Sequence, residues 1–170
     1  MGLLRNLYDN IEEYLCVSAL FIMIVCLSLQ VFMRILSGSA LDWTEELSRY
    51  SFIWAVYIGS VLAAKKFQHV RVTAQFMFFS PPVKLFLRIL IDAVWVAFNL
   101  VFAYYSYFIV ADGLLFPEDS PTMPFLIKAY VEMIIPIAFV FMSWRIIEGY
   151  YKLWRAGELY NLVKYEEEAQ

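Results

Sequence analysis

Apolar residues fall into four long runs separated by short polar connections. The first, Leu15 to Leu36, is long enough to cross a hydrocarbon core of about 30 Å at a rise of about 1.5 Å per helical residue. Runs at about Trp43–Phe67, Pro81–Val110 and Leu126–Trp154 follow, each longer than the roughly 20 residues a perpendicular helix needs. This pattern predicts an all-α integral membrane protein of four long transmembrane helices, tilted or protruding to absorb the excess length. The whole of 1–170 then forms a single membrane domain, with 155–170 as a cytoplasmic tail. Residues 1–14 place Leu3, Leu4, Leu7, Tyr8 and Ile11 on one helical face, which predicts a short interfacial helix before the first span.

The connections carry their own signals. Asp42, with Glu45 three residues on, has the spacing of a capping box and predicts the start of the second helix. Ser80-Pro81 predicts an N-cap followed by proline at the first helical position. Pro117, Pro121 and Pro124 make the third connection, about 111–125, unsuitable for regular helix. Pro136 predicts a kink in the fourth helix.

Polar residues inside the runs recur at a 4-3-4-3 spacing, the seam geometry of left-handed helix packing. The predicted seams are Cys16-Leu20-Met23-Leu27-Gln30-Arg34, Glu45-Arg49-Phe52-Val56-Gly59-Ala63 and Arg88-Asp92-Trp95-Asn99-Phe102-Ser106. The fourth run begins with Lys128 and Glu132, four apart. Glu45–Arg49, Arg88–Asp92 and Lys128–Glu132 are each placed to pair within their own helix. Nearly all these charges lie near helix ends, and only Asn99 sits near mid-depth. A solute or proton path needs several polar groups through the middle, so helix packing and partner docking explain the seams better.

Composition strengthens the membrane reading. The chain is 62% hydrophobic and 17% charged, more apolar surface than a soluble domain of this size can bury. The acidic segment Asp9, Glu12 and Glu13 before the first run, the run's length, and the lack of a small-residue cleavage site point to a retained span rather than a signal peptide. If both termini share one side, that side holds ten of the 13 Lys and Arg residues. The positive-inside rule then places both termini in the cytoplasm. The outer side is net acidic, through Asp42, Glu45, Glu46, Asp112, Glu118, Asp119 and Glu132.

Several chemistries fall away. Haem held between paired histidines is excluded, because His69 is the only histidine. Cys16 and Cys26 share one helix, roughly 15 Å apart along its axis, too far for a disulfide. With one distant histidine they do not form a zinc site, so no cofactor or metal is expected. Ser106 and Ser143 have no visible base partner, no phosphate-cradling glycine loop occurs, and no basic domain supports nucleic-acid binding. An enzyme is not the expected reading. A stand-alone four-helix exporter is the main rival, but its usual mid-helix carboxylate is missing from the first run. An adhesion or scaffold tetraspan is a weaker rival, since the outer loops lack cysteines and are short.

Trp43-x-Glu45-Glu46-x-x-Arg49, followed by Trp54, Gly59, Lys65-Lys66 and His69-Val70-x-Val72, resembles the signature of the small membrane subunit of tripartite ATP-independent periplasmic (TRAP) transporters, the DctQ type. Length, four spans and the proline-bearing loop agree with the resemblance, whose specific part covers about residues 42–73. Thr73 departs from it, since many members carry aspartate there, and it receives no role.

The resemblance implies a periplasmic binding protein that captures an organic acid, such as sialic acid or a C4-dicarboxylate. It also implies a sodium-coupled, elevator-type large permease subunit of about a dozen spans, and a bacterial inner-membrane location. The small subunit would brace that permease without a transport site of its own. Trp43, Glu45, Glu46, Arg49, Trp54, Gly59 and Ala63 are then candidates for the large-subunit interface. Asp112, Glu118 and Asp119 are candidates for binding-protein contact. Lys65, Lys66, Arg71, Lys84 and Arg88 are candidates for phospholipid contact. Helix capping and topology enforcement are the plainer readings of the same charges.

Overall fold

The computed structural model describes residues 2–66 and 80–159. It is all-α, with helices α1 (Gly2–Ser37), α2 (Asp42–Lys65), α3 (Pro81–Leu115), α4 (Lys128–Glu132) and α5 (Ile134–Ala156). Four stretches are long and apolar enough to cross a membrane: Asn10–Ser37, Asp42–Lys65, Pro82–Leu115 and Lys128–Ala156. Helix α1 has 36 residues and α3 has 35, about 54 and 52 Å of helix against a hydrocarbon core of about 30 Å.

Residues 2–14 do not form a separate interfacial element. They continue into the first span as a single helix, because nothing from Leu3 to Ser37 is proline or glycine. Gly38, at φ +73°, ends that helix, donating its N–H to Arg34 O at 3.1 Å. The start of α2 also differs from expectation. Leu41 rather than Asp42 occupies the N-cap, with no side-chain cap bond. Thr44 compensates by donating its N–H (3.0 Å) and its hydroxyl (2.7 Å) to the Leu41 carbonyl. Ser80 does occupy the N-cap of α3, ahead of the two prolines. The fourth span is interrupted at Met133, between α4 and α5. Pro136 lies three residues on; its ring removes one donor and crowds the carbonyl of Glu132.

The helices pack as a row. Helix α1 lies mainly on α2, α2 on α5, and α3 on the other side of α5. The small buried core, Val61, Ala64, Ala138, Met142 and Ile146, sits between α2 and α5. Most apolar side chains of α1 and α3 are exposed, which a lipid solvent tolerates and water would not.

The packing seams are shifted from those expected. On α1 the inward face is Glu12, Cys16, Ala19, Met23, Cys26 and Gln30, while Leu20 and Leu27 point outward. On α2 it is Thr44, Ser48, Ser51, Ala55 and Ile58, leaving Glu45, Arg49, Phe52 and Val56 exposed. On α3 Arg88, Asp92 and Asn99 are buried as predicted, but Ala103 and Val110 complete the stripe in place of Trp95 and Phe102. On α1 and α2 small side chains such as Ala19, Cys26, Ser48, Ser51 and Ala55 occupy the contact. Without a hydrophobic drive between helices in lipid, close backbone approach decides which face packs.

Candidate functional site

The outer end of α2 carries two adjacent carboxylates with opposite fates. Neighbours i and i+1 on a helix do not share a face. Glu45 is exposed and pairs with Arg49 at 3.1 Å, with Gln30 Nε2 reaching it at 3.5 Å from α1. Glu46 is buried, 8% exposed. Its Oε1 accepts from the Tyr50 hydroxyl at 2.6 Å, and its Oε2 from the Thr122 N–H at 3.0 Å and from the Thr122 hydroxyl. Tyr50 Oη also lies 3.2 Å from Ser120 Oγ. An acceptor-only carboxylate thus gathers three donors, two of them from the connection between α3 and α4.

That connection is folded on itself. Asp119 and Ile127 form an isolated antiparallel bridge, with Ser120 N–H donating to Leu126 O at 3.0 Å and Lys128 N–H to Glu118 O at 3.1 Å. Leu126 N–H closes a turn on Met123 O at 2.9 Å. Ser120 and Met123 are buried, whereas Phe116, Glu118, Asp119 and Phe125 project outward. Lys128 Nζ meets Glu118 at 3.0 Å, a partner supplied by the loop. Asp112, expected in the loop, belongs to the last turns of α3 and is exposed.

The other interface candidates separate in the same way. Trp43 is exposed. Trp54 donates its indole N–H to Val131 O at 3.2 Å, tying α2 to α4. Gly59 faces α1, where an added Cβ would meet Cys16 Sγ at 3.6 Å, and Ala63 is half-buried. The close helix approach at Gly59 therefore belongs to this chain's own α1.

Among the lipid candidates, Lys66 is exposed and Lys84 half-buried, while Arg71 lies outside the described residues. Lys65 is bound to Glu12 at 3.0 Å. Arg88 is buried, 8% exposed, in a polar cluster with Asp92 and with Tyr150, whose hydroxyl donates to Asp92. These two cations join helices rather than projecting freely to headgroups.

A second cluster was not foreseen. Arg145, counted in the sequence only as a topological charge, is buried where α1, α2 and α5 meet. Its Nε donates to Glu12 Oε1 at 2.5 Å and its Nη1 to Glu148 at 2.6 Å. Its guanidinium stacks 4.5 Å from the Tyr8 ring centroid. Lys152 completes the chain on Glu148 at 2.8 Å. Only the Arg145–Glu148 spacing of three and the four-residue step to Lys152 were visible in the sequence.

The middle of the bundle offers little chemistry. Among the described residues no group of three His, Cys, Asp or Glu side chains is placed to hold a metal. A cleft of about 620 Å³ between α1, α2 and the α4–α5 span is lined mainly by apolar groups such as Leu15, Ile22, Ile58 and Ile137.

Residues 23–156 match the family described as tripartite ATP-independent periplasmic transporters, DctQ component. The chain belongs to that family. It is a multi-pass protein of the bacterial inner membrane and a transporter component. It is 41% identical over 73 residues to a putative TRAP transporter small permease protein of Haemophilus influenzae, covering 43% of this chain and 45% of that one. The sialic acid TRAP transporter small permease protein SiaQ of Vibrio cholerae is 32% identical over 73 residues, 43% of this chain and 42% of the relative. The isethionate TRAP transporter permease protein DctMQ of Oleidesulfovibrio alaskensis is 25% identical over 157 residues, 86% of this chain and 24% of the relative. The chain thus spans less than half the length of each of these relatives.

Proposed function

We propose that this chain is the static small subunit of a binding-protein-dependent secondary transporter for organic acids, bracing a larger permease and moving no solute by itself. The observation that carries this reading is the DctMQ relative. A match over 86% of this chain fills only 24% of a longer permease protein, as expected if the DctQ-like part works beside a larger membrane component. The shifted α2 seam supports it further. With Thr44, Ser48, Ser51 and Ala55 turned inward, Trp43, Glu45, Arg49, Phe52 and Val56 are left outward for a partner. Trp54, Gly59 and Ala63 serve the same interface indirectly, by setting the shape of α2, whereas Glu46 is turned to the 116–127 loop.

A soluble binding protein delivers the substrate to the outer side, meeting Asp112, Glu118 and Asp119. Sialic acid, isethionate and C4-dicarboxylates fit the acidic-solute class. Sodium coupling resides in the large permease, and both termini lie in the cytoplasm. Lys66 and Lys84, with Arg71, suit anionic headgroups at that face. The stand-alone exporter reading is not favoured, since the apolar cleft offers a solute no polar path.

Two measurements test this. The purified chain in sealed liposomes is expected to move no sialate, isethionate or succinate; transport of any of them by the chain alone would overturn the reading. Trp43→Ala with Arg49→Ala is expected to lower recovery of the large permease on a tagged small subunit, and undiminished recovery would remove that face from the interface.

A further inference from the structure

We infer that Glu46 is a positioning residue for binding-protein docking: from inside the bundle it fixes the shape in which the 116–127 loop is presented outward. The inference rests on the docking reading above and adds the device that makes the docking surface rigid.

Pro117, Pro121 and Pro124 deprive this loop of three N–H donors. Its backbone bonds, Ser120 to Leu126, Leu126 to Met123 and Lys128 to Glu118, close it on itself or on its own flank. The side-chain bonds described between the loop and α2 come from two residues, Glu46 and Tyr50. Glu46 takes both donors of Thr122, the residue between Pro121 and buried Met123. The same carboxylate orients Tyr50 at 2.6 Å, and Tyr50 in turn meets Ser120 at 3.2 Å. The loop is therefore held at two points on either side of Pro121, both governed by one buried acid.

What the loop then shows to the outside is acidic and aromatic. Asp119 and Glu118 project with Phe125, which is 82% exposed, and Phe116, which is 78% exposed. Lys128 offsets Glu118, so Asp119 and the nearby Asp112 carry the outward negative charge. Charge complementarity points to a soluble binding protein with a Lys/Arg-bearing rim. Preorganisation of the loop favours its capture, because a loop already ordered loses less freedom on binding. Glu45, one residue away and about 100° around the helix, is exposed, so a single helical turn serves the permease side and the docking side separately.

The test uses the assembled transporter in cells expressing the large permease and the binding protein. A photocrosslinking amino acid replaces Phe125, and adducts are identified by peptide mass spectrometry. The parent is expected to give an adduct with the soluble binding protein. Glu46→Ala is expected to reduce it at least about fivefold, Thr122→Val less, and Glu46→Gln least, since the amide keeps an acceptor for Thr122. Recovery of the large permease on the tagged small subunit should be unchanged throughout, and the Thr122 amide should exchange its hydrogen faster in Glu46→Ala. No adduct in the parent would defeat the docking reading itself. A parent adduct that persists undiminished in assembled Glu46→Ala, Glu46→Gln and Thr122→Val, or an unchanged Thr122 exchange rate, would overturn the positioning role alone. Should Glu46→Ala fail to assemble, Glu46→Gln and Thr122→Val carry the same comparison.

Discussion

Arg145 and Glu12 meet across the bundle although 133 residues separate them, with Arg145 Nε 2.5 Å from Glu12 Oε1. Their side chains are only 2% and 8% exposed. Removing one partner of an isolated buried pair costs roughly 3–5 kcal/mol, but here Lys65 stays on Glu12 and Glu148 stays on Arg145, which softens the loss. Arg145→Ala is expected to lower the melting temperature of the detergent-purified protein clearly, and Glu12→Ala nearly as much. Glu12→Leu combined with Arg145→Leu should recover most of the loss, since Lys65 can extend its stem toward water. A double variant as unstable as the single ones would show that packing, not charge, holds this junction.

Trp54 offers a milder test. Its indole N–H reaches Val131 O at 3.2 Å across α2 and α4. Trp54→Phe keeps a large apolar ring but deletes the donor, for an expected loss of about 1 kcal/mol. Thermal unfolding followed by size-exclusion recovery measures it, and a loss indistinguishable from zero would mean the bond adds nothing beyond the ring.

Asn99 should behave in the opposite sense. It is fully buried on α3, and neither its amide nitrogen nor its carbonyl oxygen has a hydrogen-bond partner among the described residues. An unsatisfied buried polar group costs about 1–3 kcal/mol. Asn99→Leu, with the same branching and number of side-chain heavy atoms but no polar ones, is expected to raise the melting temperature. A fall would indicate that the amide is satisfied within the folded protein after all.

Two glycines in helices allow a matched comparison. A Cβ added at Gly59 would meet Cys16 Sγ at 3.6 Å, ordinary contact, whereas one at Gly113 would meet Ala129 Cβ at 3.2 Å. Alanine gains up to about 1 kcal/mol of helix propensity over glycine. Gly59→Ala is expected to be neutral or stabilising, and Gly113→Ala to lose that gain to crowding between α3 and α4. Equal stability changes at the two sites would refute the difference in packing.

The four spans, their approximate limits, the proline-bearing outer loop and the signature from Trp43 to Arg49 were legible in the sequence. Each depends on local quantities: apolar run length, proline's missing donor, residue spacing. The face each helix turns inward was not. Thr44, Ser48, Ser51 and Ala55 carry the α2 contact, while the predicted Glu45–Val56 stripe is exposed, because a 4-3 spacing exists on several faces of an apolar helix at once. Hydrophobicity cannot choose among them when the solvent is lipid.

By itself, then, the sequence determined that this is a four-span membrane protein of the DctQ type, since hydrocarbon thickness and a short polar signature are properties of contiguous residues. Only the tertiary structure decided that Glu45 faces out while Glu46 holds the loop, and that Arg145 closes on Glu12 instead of standing as a surface charge. Those roles depend on which distant group supplies a partner for a buried polar atom, and residue spacing along one helix does not encode that partner.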